Sequence, residues 1–189
     1  MKKSILLNIF LCLLCAGVIP VHGETNILLN PGFELDDFGD VVPMHWGQSG
    51  QDRVKGTDLG VTPHAGSKQY QLQANNSMIY QAVTLASGTY HMSMWVASRN
   101  SSSYFLDNGK VHFELVAGDH TGVPLSPDVS SSPDITAPKG VYYQWTRTFN
   151  RVSAGTYTLR VRLNPDGQGM VDEFSLVKLP PKGTVITLF

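Results

Sequence analysis

The chain has 189 residues, 42% hydrophobic, 10% aromatic and 15% charged, with 14 basic against 15 acidic side chains and a formal net charge of −1. That much aliphatic and aromatic content excludes a disordered chain, and so few charges exclude a coiled coil or helical bundle. Basic side chains are neither in excess nor clustered, so nothing favours nucleic acid or an anionic membrane surface.

Lys2 and Lys3 precede an apolar run from Ile5 to Ile19, and Val21-His22-Gly23 follows with modest side chains. This is the layout of a secretory signal peptide. The expected organisation is a leader over 1–23 and a single domain over 24–189, exported to the periplasm, cell surface or medium. No later stretch approaches the 18 or so consecutive apolar residues of a membrane span. Cleavage after Gly23 would remove Cys12 and Cys15, the only two cysteines. Disulfides, thiolate zinc sites and a cysteine nucleophile would go with them.

Short strands are expected beyond the leader, starting near Asn26–Leu29, Met44–Gln48, Gln69–Gln73 and Met78–Leu85. Tyr90, Met92, Met94 and Val96 then alternate with His91, Ser93, Trp95 and Ala97. Val111, Phe113 and Leu115 alternate with His112 and Glu114. The Ser- and Pro-rich stretch 123–138 has no periodicity and reads as a long loop or flap. Further strands are expected at Tyr142–Phe149, Thr156–Leu163 and Met170–Lys178. In Thr156–Leu163, Tyr157, Leu159, Val161 and Leu163 oppose Thr158, Arg160 and Arg162. Period-two alternation marks half-buried antiparallel strands. Ser87-Gly88, Asn108-Gly109, Ala154-Gly155 and Asp166-Gly167 supply the turns between them. About nine such strands imply an all-β, two-sheet antiparallel sandwich. Gly88-Thr89-Tyr90 and Gly155-Thr156-Tyr157 echo each other as a reused entry into a strand rather than as a repeat.

A set of motifs resembles the carbohydrate-binding modules of families 4, 9, 16 and 22. It runs from Asn30-Pro31-Gly32-Phe33-Glu34 through Trp46, Tyr80-Gln81-Ala82-Val83, Gly88-Thr89-Tyr90, Trp95 and Trp145. It closes with Val171-Asp172-Glu173-Phe174. The resemblance covers nearly all of the chain beyond the leader. It implies a galactose-binding-like jelly roll, a glycan held on a concave sheet, and a structural calcium ion held by Glu34 and Asp172 with backbone carbonyls. Calcium takes six to eight hard oxygen ligands in irregular geometry. Asp36, Asp37 and Asp40 lie close by and read as an acidic surface loop, and their spacing is not that of an EF-hand.

Sugars are bound by stacking an aromatic ring on a pyranose face and by hydrogen bonds from planar polar side chains. The residues facing away from the expected core supply these types. Trp95 is the candidate platform, with His91 on the same strand. Glu114, Arg160 and Arg162 are candidate hydroxyl partners, and Tyr104 is a candidate rim residue. Trp46 and Trp145 read as core. The histidines show no metal-binding spacing. No Gly-x-Ser-x-Gly elbow, His-Glu-x-x-His helix or phosphate-binding glycine loop is present. The expected function is a secreted, non-catalytic module for a poly- or oligosaccharide, without nucleic acid, free or beside a separate glycoside hydrolase. The alternative is a structural or adhesive jelly-roll domain of the cell envelope or matrix, bound to a protein partner or to nothing.

Overall fold

The computed structural model describes residues 25–50, 52–58, 60–73, 77–99, 111–125, 139–163 and 168–181. The leader, Tyr104, the Asn108-Gly109 and Asp166-Gly167 turns, and most of the 123–138 stretch lie outside the described residues. Those described form nine strands: β1 (Gly47–Ser49), β2 (Arg53–Lys55), β3 (Gln69–Leu72), β4 (Met78–Leu85), β5 (Gly88–Ser98), β6 (Val111–Ala117), β7 (Tyr143–Val152), β8 (Gly155–Leu163) and β9 (Gly169–Leu179). They pair antiparallel into a four-stranded sheet, β1-β4-β8-β6, and a five-stranded sheet, β2-β3-β9-β5-β7. The architecture is the expected jelly-roll sandwich. Among the described residues, no helix is long and apolar enough to cross a membrane.

Alternation decides which side chains enter the core. Ile79, Val83 and Leu85 of β4, Phe113 and Leu115 of β6, and Leu159 and Val161 of β8 point inward from one sheet. Tyr90, Met92, Met94 and Val96 of β5 and Phe174 and Leu176 of β9 meet them from the other. Aromatic edges join the layers: Phe113 meets Trp145 at 4.8 Å and Phe174 at 5.8 Å between centroids. Both tryptophans expected in the core are there, Trp46 at 4% and Trp145 at 8% exposure. Truncating a ring so placed typically costs about 3–5 kcal/mol.

The glycine-threonine-tyrosine echo has a structural cause. Tyr90 Oη donates to Ala86 O at 2.6 Å, and Tyr157 Oη donates to Ser153 O at 2.9 Å. In each case a buried tyrosine reaches back four residues and ties the turn to the strand it opens, once in each sheet.

Three local expectations change. Asn26–Leu29 is not a strand: Asn26 Nδ2 donates to Phe174 O, and Asn26 Oδ1 accepts from Leu176 N. Its side chain thus replaces part of the ladder, beside the single Ile27 N to Leu176 O bond. The strand expected at 44–48 begins only at Gly47, because Trp46 N closes a turn on Pro43 O and His45 has φ 70°. Asp36 does not belong to a surface loop. At 4% exposure it accepts from Asn30 Nδ2 at 2.7 Å and from Met44 N at 2.5 Å.

Candidate functional site

The residues singled out for sugar binding fall into two groups on opposite sides of the sandwich. Trp95 and His91 belong to β5 of the five-stranded sheet. Glu114 of β6 and Arg160 and Arg162 of β8 belong to the four-stranded sheet. All alternate with core residues, so each group projects outward from its own sheet. One groove holding both Trp95 and the arginines is therefore geometrically impossible, and Tyr104 is outside the described residues.

On the four-stranded sheet, register builds two parallel rows. Tyr80 of β4 pairs with Arg160 of β8, which pairs with Glu114 of β6. Met78, Arg162 and His112 align in the same way. Arg160 Nε donates to Glu114 Oε2 at 2.5 Å, with side-chain exposures of 10% and 5%. Arg162 Nη2 stands 3.5 Å from Glu114 Oε1 and is 33% exposed. A single buried carboxylate thus orients two guanidinium groups, one sealed and one open to solvent.

The segment after β6 straps this face. Thr158 Oγ1 donates to Gly118 O at 2.7 Å, Leu125 N donates to Leu115 O at 3.1 Å, and Val116 bridges to Pro124. Arg160 Nη1 donates to His120 O and Gly122 O, which fixes the strap over the ion pair. The His120 ring stacks on Tyr80, 4.1 Å between centroids and 9° from parallel. Tyr80 in turn lies against Gly47, where any Cβ would overlap the phenol ring. Glycine is required there by close approach, not by backbone conformation.

The five-stranded face is built differently. Residues 56–58 and 60–66 cover part of it: Val61 packs with Ala97 and Met170, and Gln69 Nε2 donates to Gly56 O and Val61 O. Tyr142 Oη donates to Gln69 Oε1, and burial pushes its phenol pKa upward. His64 stacks on Trp95 at 3.7 Å and its Nδ1 meets Glu173 Oε2 at 2.9 Å. One face of the indole is therefore already occupied by a side chain of the same protein. His91 lies further along β5, 3.3 Å from Thr148 Oγ1.

Four residues of Asn30-Pro31-Gly32-Phe33-Glu34 have a defined use beside this face, Gly32 being the exception. Trp46 Nε1 donates to Asn30 O, and Phe174 N donates to Pro31 O. A Cβ on Gly32 would stand 3.6 Å from Asp172 Oδ1. Phe33 packs among Trp46, Tyr70 and Phe174. Glu34 Oε1 accepts from Ser67 N and Lys68 N, and Oε2 accepts from Ser67 Oγ.

Asp172 sits at a β-bulge. Ser93 pairs with Ser175 and Trp95 with Asp172, so β9 carries one extra residue, and Glu173 there has φ 46°. The bulge turns Phe174 into the core and Asp172 onto the covering segment. Its Oδ2 accepts from His64 N at 3.0 Å and Ala65 N at 3.3 Å, and its Oδ1 from Glu173 N. Burial raises its pKa to about 7, against the lowering effect of those three N–H groups. Glu34 and Asp172 are thus brought onto one segment, 64–68, but their oxygens meet N–H and O–H donors. Among the described residues, no group of three or more His, Cys, Asp or Glu side chains is arranged to hold a metal ion. The donor set as folded does not fit calcium.

Tyr80, His120 and His64 are not among the residues the sequence offers for sugar binding, although Tyr80 opens one of the motifs. Tyr80 carried a usable signal, since it alternates with Ile79 and Val83. His64 and His120 lie in non-repetitive segments, where no period marks the direction of a side chain.

The fold is that of carbohydrate-binding modules. A family 61 module solved with β-1,4-galactotriose is 21% identical, covers 82% of this chain and 100% of its own, and superposes with TM-score 0.57. The family 22 xylan-binding domain CBM22-1 from Paenibacillus barcinonensis Xyn10C is 13% identical, with coverages of 84% and 97% and TM-score 0.59. The K2 cleaved adhesin domain of Lys-gingipain shares the fold at 11% identity, 79% and 97% coverage and TM-score 0.52. No protein-family model and no curated protein matches the sequence.

Proposed function

We propose that the chain is a secreted, non-catalytic carbohydrate-binding module that holds an oligo- or polysaccharide on the outer face of its four-stranded sheet. Supporting this is the row Tyr80–Arg160–Glu114 beside the row Met78–Arg162–His112. A sugar hydroxyl both donates and accepts. Arg162, 33% exposed and oriented by Glu114 Oε1 at 3.5 Å, supplies donors to the accepting oxygens of one hydroxyl or a neighbouring pair. The His120 ring has one face stacked on Tyr80, and its other face is the one on which the C–H face of a pyranose would pack. Because the sealed Arg160–Glu114 pair is already desolvated and oriented, little ordering is needed when a sugar arrives. Trp95 and His91, on the far side, take no part.

Affinity electrophoresis against a polysaccharide panel tests this, beginning with β-1,4-galactan and xylan, the ligand types of two modules with this fold. Retardation is expected, lost in Arg162→Ala with an unchanged melting temperature and retained in Trp95→Ala. Loss in Trp95→Ala alone would move the site to the other sheet. The likeness to an adhesin domain favours a second reading, an adhesive domain with a protein partner. It predicts no retardation by any glycan. Under the first reading the module acts beside a separate glycoside hydrolase on the same polymer.

A further inference from the structure

The motifs around Glu34 and Asp172 imply a cation at the junction of the first and last segments of the domain, and the folded chain supplies one of its own. Lys68 Nζ donates to the carbonyl oxygens of Glu34, at 3.1 Å, and Asp36. It also lies 5.6 Å from the centroid of the Phe38 ring. Two main-chain carbonyls of the acidic segment thus converge on an ammonium group. The Glu34 and Asp172 carboxylates are meanwhile turned onto backbone N–H groups of His64, Ala65, Ser67 and Lys68. Gly66, with φ 61°, is the point of closest approach: a Cβ there would overlap the Glu34 carboxylate.

We propose that residues 64–68 form a metal-free clasp in which the Lys68 ammonium does the work that calcium does in the modules this sequence resembles. The clasp joins the segment after the leader to β9. Asp172 holds its first half through His64 and Ala65, Glu34 holds its second half through Ser67 and Lys68, and Lys68 closes it by gripping Glu34 O and Asp36 O. Calcium needs six to eight oxygens with lone pairs directed at it. Here each carboxylate already accepts three N–H or O–H bonds at its about four lone-pair sites, and an ammonium among the carbonyls repels a divalent cation. The arrangement makes stability independent of calcium supply.

Thermal melting of the purified protein in EGTA and in millimolar calcium chloride tests the first half. The two midpoints are expected to agree within about 1 °C, because an ion bound only to the native state must raise the midpoint by mass action. A calcium-dependent rise of several degrees, reversed by EGTA, overturns the proposal. Lys68→Met tests the second half: it is expected to lower the midpoint by roughly 3–6 °C equally in both buffers. An unchanged midpoint in Lys68→Met also overturns it. If Lys68→Met does not fold, the wild-type comparison in the two buffers still decides.

Discussion

The two outer faces of this sandwich are built on opposite electrostatic plans. On the four-stranded face a buried carboxylate, Glu114, is matched by a buried guanidinium and a half-open one. On the five-stranded side the buried carboxylates Asp52 and Asp172 form no ion pair with a cationic side chain among the described residues. Asp52 is fully buried, and its Oδ1 accepts from Gln73 N at 2.8 Å. Its Oδ2 has no hydrogen-bond partner of good geometry among the described residues, although the Ser77 hydroxyl stands near enough to act to lower the pKa. Burial nevertheless pushes both acids up to about 7. Paired charge leaves a face polar and able to meet a ligand. Of the two unpaired acids, Asp172 holds a covering segment in place through the His64 and Ala65 N–H groups, whereas Asp52 accepts from Gln73 N alone among the described residues.

The sharpest way to break this contrast is Glu114→Ala, which leaves the Arg160 guanidinium buried without its counter-charge. The expected cost is about 3–5 kcal/mol, read by urea unfolding. A cost below about 1 kcal/mol would show an exposed pair of the kind that contributes little.

Next in size is the pH dependence that the unpaired acids create. Asp52 is fully protonated in the folded state at pH values where the unfolded chain has already ionised. Its raised pKa therefore contributes stability that is complete below about pH 4 and is lost as pH rises through about 7. The melting temperature is expected to fall across that window. Asp52→Asn should flatten the fall by roughly half, with Asp172 responsible for the remainder. A flat wild-type profile would mean that water reaches both groups.

Smaller effects test what the sheets share. Tyr90→Phe and Tyr157→Phe each remove one hydroxyl-to-carbonyl tie, one at the entry to each sheet, and each should cost about 1 kcal/mol in chemical unfolding. Unequal costs would mean that the two turns are not the same device. Smallest of all is His64→Ala, at about 0.5–1 kcal/mol. It bares one face of Trp95, so tryptophan emission should shift red, and glycan retardation should not change.

Much of the fold was legible because strand alternation is local. The bounds of Met78–Leu85 and the inward sets of β5, β6 and β8 follow from a period of two that each segment carries alone. The outward direction of Trp95, Glu114, Arg160 and Arg162 was equally readable. Less legible were elements whose bonds run through side chains, such as Asn26, or through three-residue edges such as Arg53–Lys55, too short to show a period.

What the residues could not reveal was company. Alternation says that Trp95 and Arg160 both face away from the core, but not that β5 and β8 lie in different sheets. That depends on which strands cross over between layers, a property of long-range pairing with no local signature. The same limit applies to residues 64–68: the resemblance implied a joint role for Glu34 and Asp172, while nothing marked Lys68, an ordinary lysine just before β3. Only the folded chain brings its ammonium onto two carbonyl oxygens. Composition and period therefore set the sandwich and the facing of its side chains, and tertiary pairing alone decided which of those side chains share a site.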